Sequence, residues 1–357
     1  MAASSSSNKS KQVLPETRPI TLREGVIRRT DRHINANGRI SFKCIPSLVD
    51  HYVSVLETQF KILGRPYAPT EVAQLRANVL LKLEEGWKAS PYSRVVVEYK
   101  TDPPPNDGLS YVVTARIYTL PELYKEWVDT RTPPLFGAHP DCKVMHTAAS
   151  LGAPQDVPIL DIGAGTGRNT IPLARAGHPA SAVELSPALV QILKKTAEDE
   201  KLEVKVIEGD ILDDNLAIPE NAYKLVILCE VVSHFREVSE IRCLLRRLAP
   251  AIQPGGILLF SCFFSHDSYT PDKLSREASR AFWASLFTRK ELAEAIEGFP
   301  FERIGDESVH DYEKEHLPAS AWPPTGWFAG WASGYDVYKL TSGRTPIELR
   351  WVTLRRV

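Results

Sequence analysis

The chain lacks an excess of charge of either sign: 43 lysines and arginines stand against 44 aspartates and glutamates. With no overall field to collect phosphate backbones, a general nucleic-acid binder is not expected. Cysteine is sparse. Cys44, Cys142, Cys229, Cys243 and Cys262 are scattered and form no Cys-x-x-Cys pair. A disulfide framework and a structural zinc site are therefore not expected, no metal ligand is named, and a reducing, cytoplasmic compartment fits. Long apolar runs are missing as well. Ile257 to Phe264, interrupted by Ser261, falls far short of the roughly 20 residues a membrane helix needs. The serine-rich start has no hydrophobic leader segment, and no membrane role is expected.

What is present is enough apolar mass for a core, 43% of 357 residues, at a length that suggests two domains. Residues 1–40 carry eight basic and three acidic side chains with few large apolar ones. They read as a disordered basic tail. Residues 41–120 read as an α-α-β-β accessory domain. Its apolar stripe through Leu48, Tyr52, Val55, Leu56 and Phe60 predicts a helix over 45–63. A second helix opens at Pro69 and stops at Gly86, and β-branched runs follow over 94–100 and 109–119.

From about residue 121, and clearly from Val157, short apolar runs alternate with helical stretches, the mark of a parallel sheet covered on both faces. Strands are predicted over 158–162, 180–184, 204–208, 225–229 and 257–262. An antiparallel pair is expected near 301–308 and 347–355. The fold class is α/β, doubly wound, with a small α+β accessory domain and a main domain over 121–357.

The first of these strands runs into Asp161-x-Gly163-x-Gly165-x-Gly167, followed by Arg168 and Asn169. Glycines at alternate positions let the backbone turn sharply and approach a ligand, while the next helix offers free N–H groups. Glu184 ends the second strand, where doubly wound sheets bind ligands, and a carboxylate there can accept both hydroxyls of a ribose. Asp210 and Ile211 follow the third strand, where Asp210 either meets an adenine edge or serves as a turn residue. A dinucleotide fold is the poorer fit, because Arg168 stands where its third glycine should be.

Together these residues resemble the class I S-adenosylmethionine-dependent methyltransferases over about residues 122–357. The glycine loop resembles that family's first motif, Glu184 its ribose acid, Gly209-Asp210 its adenine-side acid, and Gln253 to Gly256 the turn before its fifth strand. The resemblance implies S-adenosylmethionine as cofactor and a seven-stranded sheet with its last strand antiparallel. It implies Asp161, Gly163, Gly165, Gly167, Arg168, Asn169, Glu184, Asp210, Ile211 and Glu230 as cofactor contacts. Gly167 to Thr170, Phe287 to Ile296, Gly305 to His310 and Glu348 to Arg355 are similar to tellurite-resistance-type and thiol-type small-molecule methyltransferases. The N-terminal extension, Ala164 and an insert over about 317–345 depart from that pattern.

Methyl transfer is an in-line displacement, so the protein must chiefly align the reactants and exclude water. Glu230 and His234, after the fourth strand, are the first catalytic candidates, with His310 in a second set. Tyr312, Trp322, Trp327 and Trp331 either wall an acceptor pocket or pack the accessory domain against the sheet. The expected partner is a small-molecule acceptor (thiol, soft oxyanion, amine or hydroxyl), and the accessory domain forms a pocket wall or a homodimer contact. Two alternatives stay open: a peptide or protein acceptor, and a cofactor-binding module without turnover. The sequence after the fourth strand lacks the Asn/Asp-Pro-Pro-aromatic turn of base and glutamine methylases, which disfavours those acceptors.

Overall fold

β-branched and aromatic residues build an N-terminal sheet in the computed structural model, which describes residues 19–29, 34–103, 106, 108–340 and 345–357. Strands β1 (Asn37–Lys43), β2 (Arg94–Thr101) and β3 (Leu109–Arg116) pair antiparallel in the order β1-β2-β3. Helices Val49–Ile62 and Pro69–Ala89 lie on one face. Their Leu56, Phe60, Leu75, Val79 and Leu83 are buried with Val95 and Val97 of β2.

The arrangement is β-α-α-β-β rather than α-α-β-β. The missed strand, β1, starts inside the stretch expected as a tail; only Ile40 and Phe42 among its side chains pack toward the core, so its sequence gives a weak apolar signal. Pro19–Arg29 is a helix, while residues 1–18 and 30–33 of that stretch lie outside the described residues. Gly86 does not end its helix. A Cβ there would sit 2.5 Å from Cys44 Sγ, so the glycine serves close packing.

The second sheet contains β4 (Ile159–Ile162), β5 (Ala180–Glu184), β6 (Val204–Glu208), β7 (Tyr223–Leu228), β8 (Ile252–Ser265), a two-residue β9 (Leu286–Phe287), β10 (Phe301–Ser308) and β11 (Ile347–Arg356). The order is β6-β5-β4-β7-β8-β11-β10, with β9 pairing beside β8. From β6 to β8 the neighbours are parallel, and β11 runs antiparallel to both of its neighbours. The expected seven strands are present, and β9 makes an eighth. Side chains alternate between two buried faces: Leu160, Val226 and Leu258 pack on one, Ile159, Leu225 and Leu259 on the other. Burial on both faces is why these strands read as continuous apolar runs.

The chain order reverses at β4, whose neighbours are β5 and β7, so their carboxyl ends open a crevice. The N-terminal module sits beside that crevice. Lys43 Nζ donates to Ala281 O at 2.8 Å, the Ser47 N–H to Glu277 Oε2 at 2.8 Å, and the Arg236 guanidinium to the carbonyls of Trp87 and Lys88. No helix among the described residues is long and apolar enough to cross a membrane.

Candidate cofactor site and the cavity beside it

Asp161 on β4 is buried and accepts from Thr170 Oγ1 at 2.6 Å; burial pushes its carboxyl up to about 7, against the pull of that hydrogen bond. The loop then passes through Gly163 and Gly165 at φ +67° and +58°. A Cβ on Gly163 would lie 2.3 Å from Val231 Cγ2. The Gly165 N–H donates to Glu184 Oε2 at 2.8 Å, and the Ser186 N–H to Oε1 at 2.8 Å. Glu184 is only 4% exposed. Burial raises its pKa, opposed by those backbone donors. A carboxylate has about four lone-pair directions, so each oxygen keeps acceptor capacity for a ligand hydroxyl.

Glu184, Asp161, Gly163, Gly165, Arg168 and Asn169 line a cavity of about 440 Å³, with Asp210 and Ile211 also in its wall. That volume lies in the small-ligand range of roughly 300–1,000 Å³. Asp210 is exposed and also accepts from the Leu212 N–H at 2.8 Å, so it is a turn residue as well as a wall. Gly167 does not line the cavity. A Cβ there would meet Leu193 Cδ1 at 2.5 Å, so this glycine seats the loop against the neighbouring helix.

Arg168 crosses the floor between two carboxylates, Asp141 (2.5 Å) and Glu230 (2.9 Å). Burial works against its charge, but the two acids outweigh it and raise its pKa. Asn169 holds Asp141 from both sides, donating to Oδ2 at 2.9 Å and accepting its N–H at 2.8 Å. Glu230 follows β7 at φ +65° and donates its N–H to Ser261 Oγ at 2.7 Å. Burial, moderated by Arg168, pushes its carboxyl up to about 7. Behind Asp141, the fully buried Glu313 accepts from the N–H groups of Cys142 (2.7 Å) and Lys143 (3.1 Å) and from Trp351 Nε1 (3.2 Å).

His234 is held between two tyrosines: Tyr92 OH lies 2.6 Å from Nδ1 and Tyr124 OH 3.2 Å from Nε2. Burial lowers its pKa to about 4, so the ring is neutral near pH 7. A neutral imidazole has one donor and one acceptor nitrogen, so one tyrosine donates to it and the other accepts. Tyr124, Phe136, Glu230 and His234 line both the first cavity and a second one of about 320 Å³. Trp127 and Trp283 stack in the second cavity's wall, centroids 5.3 Å apart at 19°.

Of the expected acceptor residues, Trp327 and Trp331 line this second cavity. His310, Tyr312 and Trp322 line neither. His310 bonds Asp311 at 2.8 Å and abuts Trp322, while Tyr312 stacks on His316 at 4.2 Å. Helix Val309–His316, which carries His310 and Tyr312, packs against helix Cys142–Ser150, and Trp322 packs against Phe328. Sequence reasoning missed Tyr92, Tyr124, Asp141 and Trp283. Each acts through a partner distant in sequence, and none belongs to a motif.

Residues 159–256 match the family model described as a methyltransferase domain. A demethylmenaquinone methyltransferase of Tropheryma whipplei is 31% identical over 117 residues, 32% of this chain and 45% of that protein. A ubiquinone biosynthesis O-methyltransferase of Azorhizobium caulinodans is 31% identical over 116 residues, 32% of this chain and 44% of that one. The chain thus spans under half the length of these curated relatives. Among solved structures, a geranyl diphosphate C-methyltransferase of Streptomyces coelicolor A3(2) with S-adenosyl-L-homocysteine has 16% identity and a TM-score of 0.47, covering 60% of this chain and 80% of that one. The cavity's lining fits S-adenosylmethionine: a buried carboxylate with spare acceptor capacity (Glu184), the glycine loop, Asp210, Ile211, Asp161 and Arg168 all face it.

Proposed function

We propose that this protein transfers a methyl group from S-adenosylmethionine to a small-molecule acceptor. The observation that carries the reading is the Glu184 carboxylate, fixed by the Gly165 and Ser186 N–H groups at the switch point of the sheet, beside an aromatic cavity that shares its walls. The cofactor, when bound, supplies an electrophilic methyl on a sulfonium. Tyr124 and Phe136, common to both cavities, exclude water where the two meet. Glu230 and His234 stand at the same junction. Glu230 is partly ionised near pH 7 and can take a proton from an acceptor hydroxyl or amine, while His234, neutral there with both nitrogens bonded to tyrosine hydroxyls, orients Tyr124 at the junction.

The volume of the second cavity, about 320 Å³, favours a small acceptor over a peptide. The names of the relatives, which concern quinone biosynthesis, and the resemblance to thiol-type enzymes favour the same class. The test is release of S-adenosylhomocysteine across a panel of thiols, soft oxyanions, amines and phenols. Turnover with one class, lost in Glu230→Gln or His234→Asn, is the expected result. Turnover only with peptides would overturn the small-molecule reading, and cofactor binding with no turnover on either panel favours the module without catalysis.

A further inference from the structure

We propose that the second cavity is the acceptor site and that its ligand is a planar, hydroxylated aromatic molecule of about bicyclic size, an inference that rests on the methyltransferase reading above. The walls are mostly rings, among them Tyr124, Trp127, Phe136, Trp283, Trp327 and Trp331. Ring faces and edges give a flat aromatic ligand quadrupolar contacts that a saturated skeleton of the same size does not receive. One of these rings already has a cation of the chain's own. The Arg131 guanidinium lies 3.5 Å from the Trp127 ring centroid, so a cation-binding face of that ring is already filled from within the chain.

The wall is fixed in advance of binding. Trp283 holds φ +65°, an unfavourable backbone state for a bulky side chain. Its carbonyl accepts from Trp331 Nε1 at 3.2 Å, and two residues on, the Ser285 N–H donates to Ser233 O at 3.0 Å. Strain held by surrounding hydrogen bonds in this way clusters at ligand sites. The hydroxyl is assigned by the distribution of polar groups. Glu230, His234 and the Tyr124 hydroxyl line both cavities, and so stand where the accepting atom must lie, whereas Arg131, Ser233 and Asp336 line the second cavity alone. Both nitrogens of His234 are engaged by tyrosine hydroxyls, which fixes the ring's orientation at that end.

The experiment is equilibrium dialysis of the full chain, saturated with S-adenosylhomocysteine, against 2-naphthol, decahydro-2-naphthol and naphthalene, with calorimetry of S-adenosylhomocysteine on the same samples. The expected result is about tenfold tighter binding of 2-naphthol than of either analogue. A similar loss is expected in Trp283→Gly, which tolerates the positive φ, and in Trp127→Leu, which lies on a separate helix. Neither tryptophan lines the first cavity, so S-adenosylhomocysteine affinity should stay within twofold of wild type. Equal binding of decahydro-2-naphthol would overturn the aromatic assignment, and equal binding of naphthalene the hydroxyl. Binding of 2-naphthol unchanged in both variants would overturn the placement. Failure of S-adenosylhomocysteine to bind the wild-type chain would instead overturn the underlying reading.

Discussion

Glu313 has no exposed surface and, among the described residues, no cationic side chain in hydrogen-bond contact; it accepts from the backbone N–H groups of Cys142 and Lys143, next to Asp141, and from Trp351 Nε1. Burial, reinforced by the nearby Asp141 charge, raises its pKa to about 7, whereas an unfolded glutamate titrates near 4.3. A raised folded-state pKa contributes stability that is fully present below the unfolded value and is lost as pH rises through the folded one. Glu313→Gln removes this dependence, so its stability relative to wild type should rise between about pH 4.5 and 7, by on the order of 3 kcal/mol. Urea titrations of both proteins at the two pH values measure it. A difference that stays constant would mean that Glu313 keeps an ordinary pKa. At this scale the sequence was legible where chemistry and backbone geometry coincide, as in Asp161, Gly163, Gly165 and Glu184. Asp141, Glu313 and Tyr92 were not legible, because each is defined by a partner on a distant element.

Most strands of the main domain were legible to within one or two residues; β8 runs from Ile252 to Ser265, through the stretch expected as a turn, and β9 was not expected. β5, β6 and β10 carry the expected bounds; β5 is buried on both faces, as its apolar run implies, whereas β6 and β10 are the sheet's two edge strands and are half-exposed. The errors lie where packing overrides local signals. β1 is a half-exposed edge strand, and Gly86 lies within a helix because of a neighbour from another segment. Gly86→Ala should gain up to about 1 kcal/mol in helix propensity. It should lose about 1–3 kcal/mol from crowding against Cys44 Sγ, for a net destabilisation in thermal or urea unfolding. Adding Cys44→Ala should restore most of the loss. Equal destabilisation in the double variant would show that the contact with the thiol is not the cause.

At the scale of the whole molecule, the N-terminal module and the main domain enclose one site. Ser90, Pro91 and Tyr92, between the module's second helix and β2, line the first cavity together with the glycine loop, and Tyr92 bonds His234. Ligand in that cavity should therefore order both sides of the crevice. With S-adenosylhomocysteine added, amide hydrogen exchange should slow at Ser90 and Tyr92 as well as over residues 163–169. Protection confined to the glycine loop would mean that the module does not close on the ligand. Nothing in the module's own sequence names this role, because it depends on docking contacts such as Lys43 with Ala281 and Ser47 with Glu277.

The central claim, that Glu184 and the glycine loop form a site for S-adenosylmethionine, is tested most directly by calorimetry of S-adenosylhomocysteine with the wild-type chain and with Glu184→Gln. The amide keeps the size of the side chain but removes a charge-assisted acceptor worth roughly 1.5–3 kcal/mol. One site in the wild type and an affinity lower by about 10- to 100-fold in the variant is the predicted result. No binding to the wild-type chain, or equal affinity in the two proteins, would contradict it.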